Sequence, residues 1–224
     1  MEYLYLTEKE FIVLLFAVGC RQWSGFLNEE KFSGWNVEND MNKILSSLYQ
    51  KGVLEWKNGK AVLLPSVRQI FELLNQVRQY VFFIRLDEDN PVEYLYILNT
   101  NVVRVRKSIH ENGKLRLAFQ SLEQIERELW ETEIFPFNIE LYGKKHPTEC
   151  PEIKANVDEL IQNNIVLAFE KRKFFDENPI SRFLVKEDGI YNFYYIQKAG
   201  ETRKYYENKN TVKKLFNSWI REVE

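Results

Sequence analysis

A chain of 224 residues with 45% hydrophobic and 29% charged side chains can bury a substantial core and is not a disordered polymer. Its 31 basic and 33 acidic residues leave a net charge of −2, so no global field draws it to a polyanion or an anionic membrane. Cys20 and Cys150 lie in separate segments, the start lacks a basic-then-apolar leader, and the longest apolar run, 11–20, falls short of the ~20 residues of a membrane span. These features predict a reduced, cytosolic protein.

Residues 2–6 suit a short strand. Thr7 then opens a helix, because Thr7 and Glu10 have the spacing of a capping box; Phe11, Leu14, Leu15 and Val18 follow at helical intervals, and Gly19 is the expected stop. The run 11–20 reads as a helix buried on nearly every side. Residues 21–34 are irregular and aromatic, with a short helix expected between loops. Asn36 caps a further helix whose apolar stripe is Met41, Ile44, Leu45 and Leu48, and which Gly52 ends. Strands at 53–56 and 61–64 flank Asn58-Gly59, a two-residue hairpin signal. Helix, short helix, helix, hairpin is the order of a winged-helix domain.

Pro65 or Ser66 begins an amphipathic helix with Val67, Ile70, Phe71 and Leu74 on one face. It leads into 80–86, apolar without alternation, as expected of a strand in the middle of a sheet. Three more strands and a helix at 121–130 follow, Ser121 and Gln124 being spaced for another capping box. The segment 131–150 carries two of the six prolines and reads as a linker. A helix at 153–163, a strand at 165–169, three further strands and a closing helix at 210–222 complete the chain.

Much of this is written twice. Pro65, Leu74, Gln76 and Phe83 recur as Pro151, Leu160, Gln162 and Phe169, all at an offset of 86 residues; Asn90-Pro91, Gly113 and Trp130 recur as Asn178-Pro179, Gly200 and Trp219. The same landmarks in the same order define a duplication. The expected architecture is therefore a single α+β domain over 1–224. A winged-helix-like segment (1–64) precedes repeat 1 (65–130), the linker (131–150) and repeat 2 (151–224, its matched part ending at Trp219). The two pseudo-symmetric repeats, each helix plus antiparallel strands, join in a central sheet.

Catalytic signatures are missing from the sequence. His110 sits beside a hairpin turn and His146 in a Lys-Lys-His-Pro loop, neither with metal-ligand spacing to another His or Cys. There is no Gly-x-Ser-x-Gly elbow, and nine glycines give little material for phosphate cradles. Carboxylates are scattered on helix faces, as in the Glu123–Arg127 pair. No enzyme activity, cofactor or metal is expected.

Binding surfaces remain. As a DNA module, the winged-helix-like segment would use Lys43 and Lys51 on its second helix and Lys57 and Lys60 on its hairpin. Yet residues 1–75 hold eight Lys and Arg against nine Asp and Glu, so nucleic acid is a poor fit. Arg104, Arg106, Lys107, Lys114 and Arg116 lie on neighbouring strands. They read either as a solvated face guarding a sheet edge or as a docking surface for an acidic partner. Repeat 2 has Asn192 and Tyr194 where Arg104 and Arg106 stand, which confines any such role to one half. The residues best suited to meet a protein partner are apolar ones in loops: Phe135, Phe137 and Tyr142 in the linker, then Phe174 and Phe175. The alternative for these five is that they tuck under the sheet and finish the core.

Certain stretches resemble a family, the EspG chaperones of type VII secretion. They are Leu6-Thr7-Glu8-Lys9-Glu10 opening the first helix and the run Leu45-Ser46-Ser47-Leu48-Tyr49-Gln50-Lys51-Gly52-Val53-Leu54. The short hairpin, the proline before an amphipathic helix and the strand from Tyr80 complete the pattern. The duplicated layout is similar to that family's pseudo-twofold architecture. The resemblance implies a central antiparallel sheet with helical subdomains, no catalysis, and binding of a helical secretion substrate; no binding residue carries over. The leading expectation is a non-catalytic cytosolic chaperone or adaptor for a helical protein substrate of a type VII-like system. A winged-helix transcription regulator is the alternative. The sequence leaves homodimerisation open.

Overall fold

The computed structural model describes residues 3–20, 35–85, 92–107, 114–131, 165–174, 179–188, 191–198, 201–205 and 209–222. Expectations for 21–34, for the 153–163 helix and for most of the linker lie outside the described residues, as do His110, His146 and Cys150.

Strand β1 (Leu4–Thr7) runs directly into helix α1 (Glu8–Ala17). The capping box forms at that junction: the Glu10 amide donates to Thr7 Oγ1 at 3.2 Å and the Thr7 amide to Glu10 Oε2 at 2.6 Å. Helix α2 (Val37–Gln50) starts on Asn36, whose side chain accepts from the Glu38 and Asn39 amides. It ends in a Schellman motif. Gly52 takes the left-handed conformation at φ 65°, Val53 donates to the Leu48 carbonyl, and both apolar side chains are fully buried. Strands β2 (Leu54–Lys57) and β3 (Lys60–Leu63) form the expected hairpin, with Asn58 and Gly59 both at positive φ as a type I′ turn requires. Helix α3 (Pro65–Gln76) follows, with proline in its first turn, where no amide donor is lost.

Repeat 1 continues as β4 (Gln79–Arg85), β5 (Val92–Leu98), β6 (Asn101–Lys107), β7 (Lys114–Ser121) and α4 (Leu122–Glu131). Repeat 2 is β8 (Ile165–Lys173), β9 (Ser181–Asp188), β10 (Tyr191–Lys198), β11 (Glu201–Tyr205) and α5 (Lys209–Arg221). The nine described strands outside the hairpin form one antiparallel sheet in the order β1-β7-β6-β5-β4-β8-β9-β10-β11. Each repeat is thus a four-stranded meander, the two meanders meet along β4 and β8, and β1 is added beside β7.

The register at that seam is the clearest trace of the duplication. Phe83 stands directly opposite Phe169. These are the residues equated by the offset of 86, so a pseudo-twofold axis passes between them. Their rings stack at 4.5 Å with 7° between planes. Around them, α4 and α5 lie on one face of the sheet, sharing a core of Val81, Leu95, Ile97, Leu129, Trp130, Phe183, Phe216 and Trp219. The helices are tied together by Glu126, which accepts two bonds from Arg221 at 2.7 Å, and by Asn217, which accepts from the Trp130 indole at 3.3 Å.

The opposite face of the first meander is covered by the N-terminal segment. Phe11, Leu14 and Leu15 of α1 and Phe71 and Leu74 of α3 pack with Tyr94, Tyr96, Val103, Val105, Leu115 and Leu117 of the sheet. Strand β4 alternates between the two cores, Tyr80 to one and Val81 and Phe83 to the other. That explains its unbroken apolar sequence and agrees with its place as the middle strand of nine. Helix α1 corrects one expectation: Phe16 in its last turn is 60% exposed, because the apolar run is longer than the stripe that α3 and the sheet cover.

Candidate docking surfaces

The charged side chains near the N-terminus hold the layer together. Glu10, 3% exposed, accepts from Ser47 Oγ and from Lys51 Nζ at 2.6 Å each, in addition to the Thr7 amide. Burial by itself pushes the Glu10 carboxyl up; the bonds from Lys51, Ser47 and Thr7 outweigh it and hold the group below its ordinary value. Lys9 bridges to Asp40 at 2.6 Å, and the Trp35 indole donates to the same oxygen. These contacts clamp α1 to α2.

Part of the sequence-predicted DNA surface is engaged by carboxylates. Lys51 is bound to Glu10, and Lys57 to Glu55 at 2.5 Å. Lys43 and Lys60 are exposed.

The arginine-rich strands are arranged by pleat. Lys107 belongs to the face under the N-terminal layer and meets Glu8 at 3.6 Å, so it is separated from the others. Arg104 and Arg106 lie on the α4 face. Arg104 donates to Glu93 at 2.5 Å and to Glu128 of α4 at 2.8 Å, and Arg106 approaches Glu93 at 3.6 Å. Burial disfavours the Arg104 cation, but the Glu93 bond and both carboxylates raise its pKa above the ordinary value. Arg116 instead lies over the Tyr3 ring, 3.9 Å from its centroid.

Of the five apolar loop residues, Phe135, Phe137, Tyr142 and Phe175 lie outside the described residues. Phe174 is tucked in. Its ring sits 5.5 Å from Tyr80 and 6.2 Å from Tyr96, packed against the N-terminal core. Burial, its largest cause, raises the pKa of Tyr80, Tyr94 and Tyr96 alike.

Among the described residues the exposed large apolar ones are Tyr5 at 50%, Phe16 at 60%, Tyr49 at 54% and Trp56 at 52%. All belong to the N-terminal segment. Sequence reasoning passed over them because an aromatic in a strand or helix reads as core, and periodicity does not say whether a face is covered. Trp56 carried a usable signal, since its cross-strand partner on a hairpin is only Ala61.

Among the described residues no group of three or more His, Cys, Asp or Glu is placed to hold a metal ion, and no helix is long and apolar enough to cross a membrane. A shallow, open depression along α5 is lined by Asn210, Lys213, Lys214 and Asn217.

A large antiparallel sheet with helices on both faces makes this an α+β fold. No family model matches the chain, and no curated relative does. Among solved structures, it is similar to the Mycobacterium tuberculosis type VII secretion system chaperone EspG5, solved in complex with the PE25-PPE41 dimer. The TM-score is 0.56 at 10% identity, covering 99% of this chain and 95% of that one. At that identity the likeness is one of fold.

Proposed function

We propose that the chain is a non-catalytic cytoplasmic chaperone or adaptor that binds a helical protein substrate of a type VII-like secretion system. The observation that carries this reading is the shared fold, which extends over nearly the full length of both chains. EspG5 is a type VII secretion system chaperone solved in complex with the PE25-PPE41 dimer, and an exposed apolar surface suits recognition of a helix face. The exposed Tyr5, Phe16, Tyr49 and Trp56 supply apolar anchors for such a partner. The regulator alternative is weaker, because Lys51 and Lys57 are engaged by carboxylates and the segment carries no positive surplus. Co-expression with small helical secreted proteins of the same genome tests the proposal. The cargo should be insoluble alone and soluble as a stable complex with this chain; cargo that is equally soluble without it counts against a chaperone.

A further inference from the structure

The α4 face of the sheet is incompletely covered at its β1 end. Helix α4 shields Val102 and Ile97, and its Glu128 binds Arg104 and Gln120. Beyond it, register sets a row across three strands: Tyr5 opposite Arg116, and Arg116 opposite Arg106. Directly opposed side chains on neighbouring strands stand about 5 Å apart, so this is one contiguous surface. Tyr3 lies beside Tyr5 with ring centroids 6.5 Å apart, and Arg116 covers the Tyr3 ring. Half of Tyr5 and 30% of the Arg106 side chain are open to solvent.

The corner has a surplus of positive charge. Among the described residues, Arg104, Arg106 and Arg116 share this face of β6 and β7, against Glu93 and Glu128. Glu93 is 4% exposed and already engaged by two of the arginines. Arg116 engages a ring and, among the described residues, no carboxylate. This local surplus belongs to a chain whose net charge is −2.

We propose that the corner formed by Tyr3, Tyr5, Arg106 and Arg116 docks an acidic segment of a protein partner, its carboxylates meeting the guanidinium groups and its apolar side chains lying on the tyrosine rings. That the occupant is a protein rests on the chaperone reading. One observation favours a short acidic segment over a nucleic acid strand: with a net charge of −2 over the chain, a continuous polyphosphate meets no extended attractive field beyond the corner.

The test is fluorescence anisotropy of the purified full chain with a labelled short peptide of alternating Glu and Leu. A matched peptide with Gln for Glu and a dT oligonucleotide serve as comparisons, each at low and high salt. Tyr5→Ser and Arg116→Gln, both surface changes, are checked for unchanged Tm and monodispersity. The Lys213→Gln/Lys214→Gln variant removes charge elsewhere. The proposal expects binding of the Glu peptide only, weakening with salt, with a loss of about tenfold in each corner variant and no change in the α5 variant. No binding of the Glu peptide at low salt, an equal loss in the α5 variant, or preference for the oligonucleotide would overturn it. So would a corner variant that aggregates yet binds normally, since that is edge protection alone. The two proposals fail separately: a cargo complex that survives both corner substitutions removes this inference and leaves the chaperone reading standing.

Discussion

If the two repeats meet at Phe83 and Phe169, those rings are coupled energetically as well as by symmetry. Phe83 is 3% exposed and Phe169 0%, so truncating either leaves a cavity in a filled core. Phe→Ala at such sites costs about 3–5 kcal/mol. Phe169 should lie at the upper end, because it also meets Phe183 at 6.5 Å and Phe216 at 4.9 Å. The stacked pair adds about 0.5–1.5 kcal/mol beyond area burial. Phe83→Leu, Phe169→Leu and the double variant keep most of the volume and make a tractable cycle, followed by urea denaturation with constant m-value. The double variant should lose less than the sum of the singles by roughly 0.5–1.5 kcal/mol. Additivity within about 0.3 kcal/mol would refute the direct stacking on which the dyad rests.

Other outcomes follow from the N-terminal clamp and the buried tyrosines. Glu10→Gln keeps one acceptor oxygen for the Thr7 amide, turns its NH2 toward Ser47 Oγ and removes the charge that meets Lys51, and should lower stability by about 1–2 kcal/mol in denaturant melts. Because the folded Glu10 pKa is depressed, its contribution is full above the unfolded value near 4.5 and is lost as pH falls through the folded value. The wild type should therefore weaken with acid below about pH 4.5 more steeply than Glu10→Gln. Tyr80, Tyr94 and Tyr96 have raised folded values, so the stability linked to them is intact below pH 10.0 and is lost as pH rises above it. A tyrosinate absorbance titration should show them ionising only with alkaline unfolding. Arg221→Ala should cost less than Glu126→Ala. The arginine is 57% exposed and well solvated, whereas Glu126, 6% exposed, also accepts from Asn217.

The parts of the fold legible in sequence are those set by local chemistry or by repetition. Both capping boxes form: Ser121 and Gln124 exchange bonds at 3.1 and 2.9 Å, as Thr7 and Glu10 do. Asn58-Gly59 turns the hairpin, and the offset of 86 finds the residues that meet at the seam. What escaped was long-range. Alternation put Arg104 and Arg106 on one face, but the carboxylates that engage them come from the next strand and from a helix laid across the sheet. Nothing local distinguishes Phe174, which packs on the tyrosines, from Tyr5, which stands half open on an edge strand. Coverage of a face is a property of the assembled layers. The pleat reveals which side chains share a face but not what lies above them.

Affinity capture with the tagged chain from lysate of its own organism, washed at moderate and then high salt, addresses the central claim most directly. The account predicts a small helical protein retained at high salt in fixed stoichiometry, since an apolar helix face held on exposed aromatics resists screening. Nucleic acid that washes off as salt rises, with no protein partner at any salt, would contradict the account and favour the regulator.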